Sequence, residues 1–210
     1  MELQGIIGKK LGMIEFFSDE GNLIPVTVIE VGPCYVIQKK DEQSDGYNAV
    51  QLGFEEQKMQ RVNKPLTGHF KKAGKGVFKH LKEFKVKSFE GIEIGKEVNV
   101  GDLFKTGEFV HITGKSKGRG FSGVVKKYKF GGGRASHGST VHRNTGAIGM
   151  SAYPGKVLKN KKMPGQFGNS KVSVKNLQIV DVRPDENIIL IKGAVPGHKN
   201  GIVYLKKQFF

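Results

Sequence analysis

Apolar positions along this chain favour a period of two over the helical period of 3.6. Leu23 to Val31 is dense in β-branched residues and stops at Gly32 and Pro33, a turn signal. Tyr35 to Gln38 follows as a second short run. Between Tyr47 and Phe54, the residues Val50, Leu52 and Phe54 fall on one face, and Tyr47 and Ala49 on the other. Further strands are predicted at 3–7, 11–17, 83–89, 109–113, 172–182, 187–192 and 202–206. Many short strands with Gly or Pro turns predict a mainly β fold, an antiparallel barrel.

Helical periodicity is confined to two places. Leu66, Phe70 and Ala73 share an i, i+4, i+7 face, with Pro65 suited to a first turn and Gly74 to the position after the end. A second short helix is predicted from Phe121 to Tyr128, with Phe121, Val124, Val125 and Tyr128 on one side. From 127 to 171 the apolar residues follow neither period. A stretch of that length without regular structure is usually a binding loop or disordered.

Charge changes the picture most in that same region. The chain carries a formal net charge of +16 over 210 residues. Glu108 and Asp181 are consecutive acids, so 109–180 contains no carboxylate side chain, yet it holds 14 Lys or Arg and 13 Gly. The remaining 138 residues carry a net charge of only +2. Within them 57–87 is a second basic island, with ten Lys or Arg against Glu83 alone. Cations without a local counter-charge repel one another and favour an external polyanion. The segment is therefore expected to take its order from such a partner.

Composition narrows the classes further. No apolar run reaches the ~18 residues of a spanning helix. The N-terminal MELQGIIGKK lacks the apolar core of a signal peptide and the Ser- and Arg-rich character of a transit peptide. One cysteine, Cys34, excludes an intrachain disulfide and a thiolate zinc cluster, which suits a reducing cytoplasm. Its apolar surroundings in sequence predict a buried structural thiol.

Several motifs invite catalytic readings and fail on chemistry. Gly118, Gly120 and Gly123 match G-x-G-x-x-G, but no acidic residue follows before Asp181 to hold a ribose hydroxyl. Gly149 to Lys156 resembles a P-loop one residue too long, with Val157 where Ser or Thr must ligate magnesium. His137 and His142 are five apart, not the four that aligns two ligands on a helix, and no Asp, Glu or Cys stands near them in sequence. Contact with RNA suits these histidines better than a metal, and a neutral loop histidine is the third reading. A membrane-surface role would need an amphipathic cationic helix, which the glycines at 131–133 and 146–155 oppose. Phe121, Tyr128, Phe130, Tyr153 and Phe167 are interleaved with the cations. They suit either stacking on unpaired bases or anchoring of the loop's root.

The motifs carry a resemblance. Gly5 to Met13, Ile24 to Val28, Gly32 to Cys34 and Gly46 to Phe54 resemble the universal third protein of the large ribosomal subunit. So do Gly118 to Val125, Ser136 to Gly138, His142 with Arg143, Gly155 to Lys159, Lys161 to Gly168, Val172 to Val174 and Lys192 to Gly197. These motifs stand in family order over nearly the whole chain, and the compact length resembles the bacterial form.

The resemblance implies a translation-protein-type barrel with a small mixed α/β insertion and a long basic RNA-penetrating extension. In this chain the body is expected at 1–117 and 172–210, the basic mixed insertion at about 57–96, and the extension at 118–171. It implies a non-enzymatic, cytoplasmic constituent of the large ribosomal subunit. This would be a primary binder of 23S-type rRNA that nucleates early assembly near the RNA's 3′ end. Protein neighbours would be the fourteenth and nineteenth of that subunit, with no membrane, small-molecule substrate, cofactor or metal.

The expected rRNA contacts are Lys115, Lys117, Arg119, Lys126, Lys127, Lys129, Arg134, His137, His142, Arg143, Lys156, Lys159, Lys161, Lys162 and Lys171. Asn144, Met150 and Tyr153 are expected at the inner tip, toward the peptidyl transferase centre. Where some bacterial members carry a side-chain-methylated glutamine after Ile-Gly, this chain has Met150, which offers no amide nitrogen.

Overall fold

The period-two stretches form strands because alternate side chains leave opposite faces of a pleated backbone, so one face can close on a core. A computed structural model of the chain describes residues 3–18 and 20–207. In chain order its first elements are β1 (Gly5–Phe17), β2 (Leu23–Glu30), β3 (Cys34–Lys40), α1 (Glu42–Asp45), β4 (Ala49–Gln57), α2 (Lys64–Ala73), β5 (Val77–Lys85), β6 (Glu97–Val98) and α3 (Val100–Leu103). There follow β7 (Phe109–Lys115), β8 (Phe121–Ser122), α4 (Val124–Tyr128), β9 (Gly165–Gln166), β10 (Lys171–Arg183), β11 (Ile188–Lys192) and β12 (Ile202–Lys207). The chain divides into two compact units, a body that runs to Lys115 and resumes at Lys171, and an arm, Ser116–Ser170.

In the body, six strands close into an antiparallel barrel in the order β1-β12-β7-β10-β11-β2. Closure leaves no unpaired edge within the barrel, although β1 and β2 run on past it. β3 and β4 are not barrel strands. They form a second sheet of order β5-β4-β3-β6. The face bearing Val50, Leu52 and Phe54 joins Ile6, Ile7, Ile112, Ile189 and Leu205 of the barrel in one buried cluster. The opposite face of this sheet is covered by α2: Phe70 and Ala73 pack with Ile37, Val77 and Phe78, and the Phe70 and Phe78 rings meet edge-on at 6.0 Å. Cys34 lies wholly buried in the larger cluster, where its thiol donates to the Ile7 carbonyl at 3.5 Å. Burial pushes this thiol up to about 12, so it is an inert proton-bearing group at neutral pH.

Four sequence expectations need correction. The runs at 3–7 and 11–17 are one strand, β1, with a bulge between Lys10 and Gly12 that resets the alternation. The strand expected at 83–89 begins at Val77 and ends at Lys85, because pairing with β4 carries it from Gln57 to Ala49. Leu66 is exposed although it shares the sequence face of Phe70 and Ala73. Pro65 and Gly74 do stand at the start and the left-handed end of α2. The helix expected at 121–128 starts only at Val124, since Phe121 and Ser122 pair with Gln166 and Gly165.

Candidate nucleic-acid interface

The arm is built on a two-stranded stem. Ser116 N–H donates to Ser170 O at 2.9 Å, and Asn169 N–H returns to Ser116 O at 3.1 Å. Arg119 N–H to Phe167 O and Phe167 N–H to Gly120 O continue the ladder at 2.8 and 2.9 Å, up to β8 and β9. In the chain, the arm lies between β7 and β10, which pair with each other in the body with Lys115 opposite Lys171.

Beyond the stem, α4 makes one short turn of helix and ends at Lys129 in the left-handed conformation. From there to Gly165 no further helix or strand is present. The backbone instead folds on itself through single contacts. Gly133 N–H donates to His142 O at 3.0 Å, and the His142 ring meets Arg134 O through Nδ1 at 3.1 Å. A Cβ at Gly133 would collide with the Val141 carbonyl, so this crossing requires glycine. Gly168 is similarly constrained, with φ +71 and the Lys117 carbonyl where a Cβ would stand.

The electrostatics follow from composition. The arm holds eleven Lys or Arg and no Asp or Glu, so no ion pair can form inside it. Of the rRNA contacts expected in the arm, all are exposed except Lys127, which is half-buried, as are Tyr128, Phe130 and Phe167. Lys127 and Lys162 both place Nζ over the Tyr128 ring, 5.0 and 5.8 Å from its centroid. Tyr128 also packs on Phe130 at 6.2 Å. Two stacking candidates are thus occupied within the arm. Phe121 and Tyr153, 81% and 90% exposed, present open ring faces. Asn144 and Met150 are exposed as well. Phe130, Gly131 to Gly133, Val141 and Asn144 line a shallow recess of about 400 Å³ in which glycines leave backbone accessible.

The body contributes Lys115 and Lys171. Both line a cleft of about 710 Å³ together with Lys9, Lys79, His80 and His198. Sequence reasoning missed these last four, because pairing between distant strands, not proximity in the chain, brings them together. Glu55 sits among them with a left-handed φ of 60, 3.2 Å from Lys79, 3.5 Å from His80 and 4.0 Å from Lys9. Burial works to raise the Glu55 carboxyl, but the Lys79 hydrogen bond and the charges of Lys79, Lys9 and His80 outweigh it and hold it below the usual range. This cleft is cationic but partly neutralised. Among the described residues no group of His, Cys, Asp and Glu could hold a metal ion, and no helix is long and apolar enough to cross a membrane.

A family model described as Ribosomal protein L3 matches residues 71–187, which run from the end of α2 through the whole arm and β10. Similarity to curated proteins covers nearly the full length. The chain is 53% identical over 205 residues to the large ribosomal subunit protein uL3 of Syntrophotalea carbinolica, covering 98% of each chain. It is 52% identical over 203 residues to the protein of that name from Geobacter sulfurreducens, covering 97% of this chain and 96% of the relative. The chain belongs to the ribosomal protein L3 family. Members of the L3 family are structural, non-enzymatic proteins, which agrees with the failed nucleotide motifs around Gly118 and Gly149. The closed antiparallel barrel agrees with the fold that the resemblance implied.

Proposed function

We propose that this L3-family protein is a structural constituent of the bacterial large ribosomal subunit, in the cytoplasm, and a primary binder of its 23S-type rRNA. The observation that carries this is the pairing of the relatives' identity with an arm of eleven cations and no carboxylate. Lys117, Arg119, Lys126, Lys127, Lys129, Arg134, Arg143, Lys156, Lys159, Lys161 and Lys162 neutralise phosphates that crowd around the arm. Lys115 and Lys171 extend the contact onto the body, and His137 and His142 add hydrogen bonds. Phe121 and Tyr153 are the rings free to stack on bases.

In this reading the division at Ser116 and Ser170 separates a β body from an RNA-penetrating extension. Asn144, Met150 and Tyr153 form the tip that approaches the peptidyl transferase centre. Binding near the 3′ end of the rRNA nucleates early assembly, and the fourteenth and nineteenth proteins of the subunit are neighbours. The mechanism is architectural: the arm supplies positive charge where RNA helices converge, and its glycines let backbone pass through narrow spaces. Filter binding of the purified chain to large-subunit rRNA across a salt series tests it. With about five of these cations on phosphate at one time, the log–log slope is about −4, and a slope near zero overturns the reading.

A further inference from the structure

The end of the first hairpin has the opposite character to the arm. β1 pairs with β12 only through Gly5–Lys9, and β2 pairs with β11 only as far as Val26 opposite Lys192. Past those points Met13–Phe17 and Leu23–Pro25 run on as a two-stranded ribbon, with Phe17 opposite Leu23 and Glu15 opposite Pro25. Among the described residues, the last backbone bond from a third segment is Gly193 N–H to Pro25 O at 2.9 Å. Isolated two-stranded ribbons are marginal in water unless something covers a face. This one exposes Met13, Phe17 and Leu23 on one side, Phe17 by 66%, and Ile14 on the other. Single exposed apolar residues are ordinary, but a contiguous set on a projecting ribbon marks an interaction surface.

Charge selects the partner. Residues 11–38 contain Glu15, Asp19, Glu20 and Glu30 and no Lys or Arg, in a chain of net charge +16. Asp19 lies outside the described residues; Glu15 and Glu20 are exposed beside the apolar set. Phosphate oxygens would meet carboxylates here and no cation of the ribbon itself, so a nucleic acid is repelled. A protein surface with an apolar centre and a Lys- or Arg-rich rim fits both features.

We propose that the β1–β2 ribbon docks a basic neighbouring protein through Met13, Phe17 and Leu23, with Glu15 and Glu20 pairing its cations. This goes beyond the RNA-binding reading and uses residues that reading leaves idle. It depends on that reading only for where the partner is met.

The test places the photo-crosslinker p-benzoylphenylalanine at position 17 of the full chain in growing cells, irradiates them, and then fractionates the ribosomes. A crosslink to another protein, at a peptide with excess Lys and Arg, is the expected result. A crosslink to rRNA, to a second copy of this chain, or to nothing overturns the proposal. The Phe17→Ser/Leu23→Ser and Glu15→Gln/Glu20→Gln variants should each lower the occupancy of the crosslinked protein by about tenfold or more. Their affinity for rRNA in filter binding should stay within about twofold of the unsubstituted chain. Loss of rRNA affinity in these exposed-site variants would place RNA on the ribbon and overturn the proposal. Failure of the RNA reading shows differently: the unsubstituted chain would neither bind rRNA nor sediment with large subunits, while the crosslink would still be scored from whole cells.

Discussion

The body and the arm answer the same problem, excess positive charge, in opposite ways. In the body, carboxylates sit beside cations: Glu55 with Lys9 and Lys79, Glu83 with Lys40, and Arg183 between Asp181 and Glu186. Exposed pairs of this kind contribute only about 0–1 kcal/mol each, so they do not hold the body together. The buried aliphatic and aromatic cluster does that. What the pairs decide is where a phosphate can gain. A phosphate approaching Lys79 must compete with Glu55, whereas one approaching Lys159 meets no internal rival. In the arm the relation is inverted. Val124 is its one fully buried large apolar side chain among the described residues, and every cation waits for an external charge.

The largest expected effect separates the two units outright. Ser122 stands opposite Gly165, so replacing 123–164 by an Asn-Gly turn closes a short hairpin on the existing stem. Nine of the eleven arm cations go with the deletion. Thermal unfolding of the body should be nearly unchanged, while the salt slope of rRNA binding loses most of its roughly four units. A deletion protein that fails to fold would show the arm to be part of the core. Next in size is a contrast of two rings. Phe84 is 2% exposed and Tyr153 is 90% exposed. Phe84→Ala should lower unfolding free energy in urea by about 3–5 kcal/mol. Tyr153→Ala should leave it within about 0.5 kcal/mol. If Tyr153 stacks on a base, the same change weakens rRNA binding by about 1–3 kcal/mol, and an unchanged Kd removes it from the interface.

Smaller still is the effect of single charges, and it tests whether internal pairing matters. Lys159→Gln should lower the salt slope by about 0.7–0.9, as for one phosphate contact. Lys79→Gln should lower it less, because Glu55 already occupies that ammonium. Equal slopes for the two variants would erase the distinction drawn between body and arm.

What sequence could reach divides along the same line. Val50, Leu52 and Phe54 announced a buried face, and the absence of acids from 109–180 announced the arm, because both signals are local in sequence. The start of β5 at Val77 was hidden because Lys79, His80 and Lys82 interrupt its alternation, and pairing with β4 overrides that pattern. Phe121 has helical spacing to Val124 and Tyr128, but partnership with Gln166, 45 positions away, decides for a strand. The cationic cleft around Lys115 and Lys171 was invisible for the same reason. Lys9, Lys79 and His198 reach it from three distant segments. The ribbon's acidic, apolar character lay open in residues 11–38, but only the strand register shows that no third strand among the described residues covers it.

Acid titration gives the smallest effect and probes the body's counter-charges alone, since the arm has no carboxylate to protonate. Burial, followed by the charge of Lys79, disfavours the imidazolium of His80. Glu55 opposes them without winning, so His80 titrates below its ordinary value. The folded state therefore binds fewer protons than the unfolded chain once pH drops below about 6.5, the ordinary value for histidine. Stability supplied by the neutral ring is complete above that pH and declines as pH falls toward the lowered folded value. Glu55 follows at lower pH with the same sign. Its carboxylate is favoured in the folded state, so its contribution is present above about 4.3 and is lost as pH falls through its depressed value. Urea midpoints measured from pH 8 to about pH 2 should thus decline in two steps. His80→Gln should abolish the upper step and leave the lower one. A variant that retains the upper step would assign it to another group and detach His80 from the Glu55 cluster.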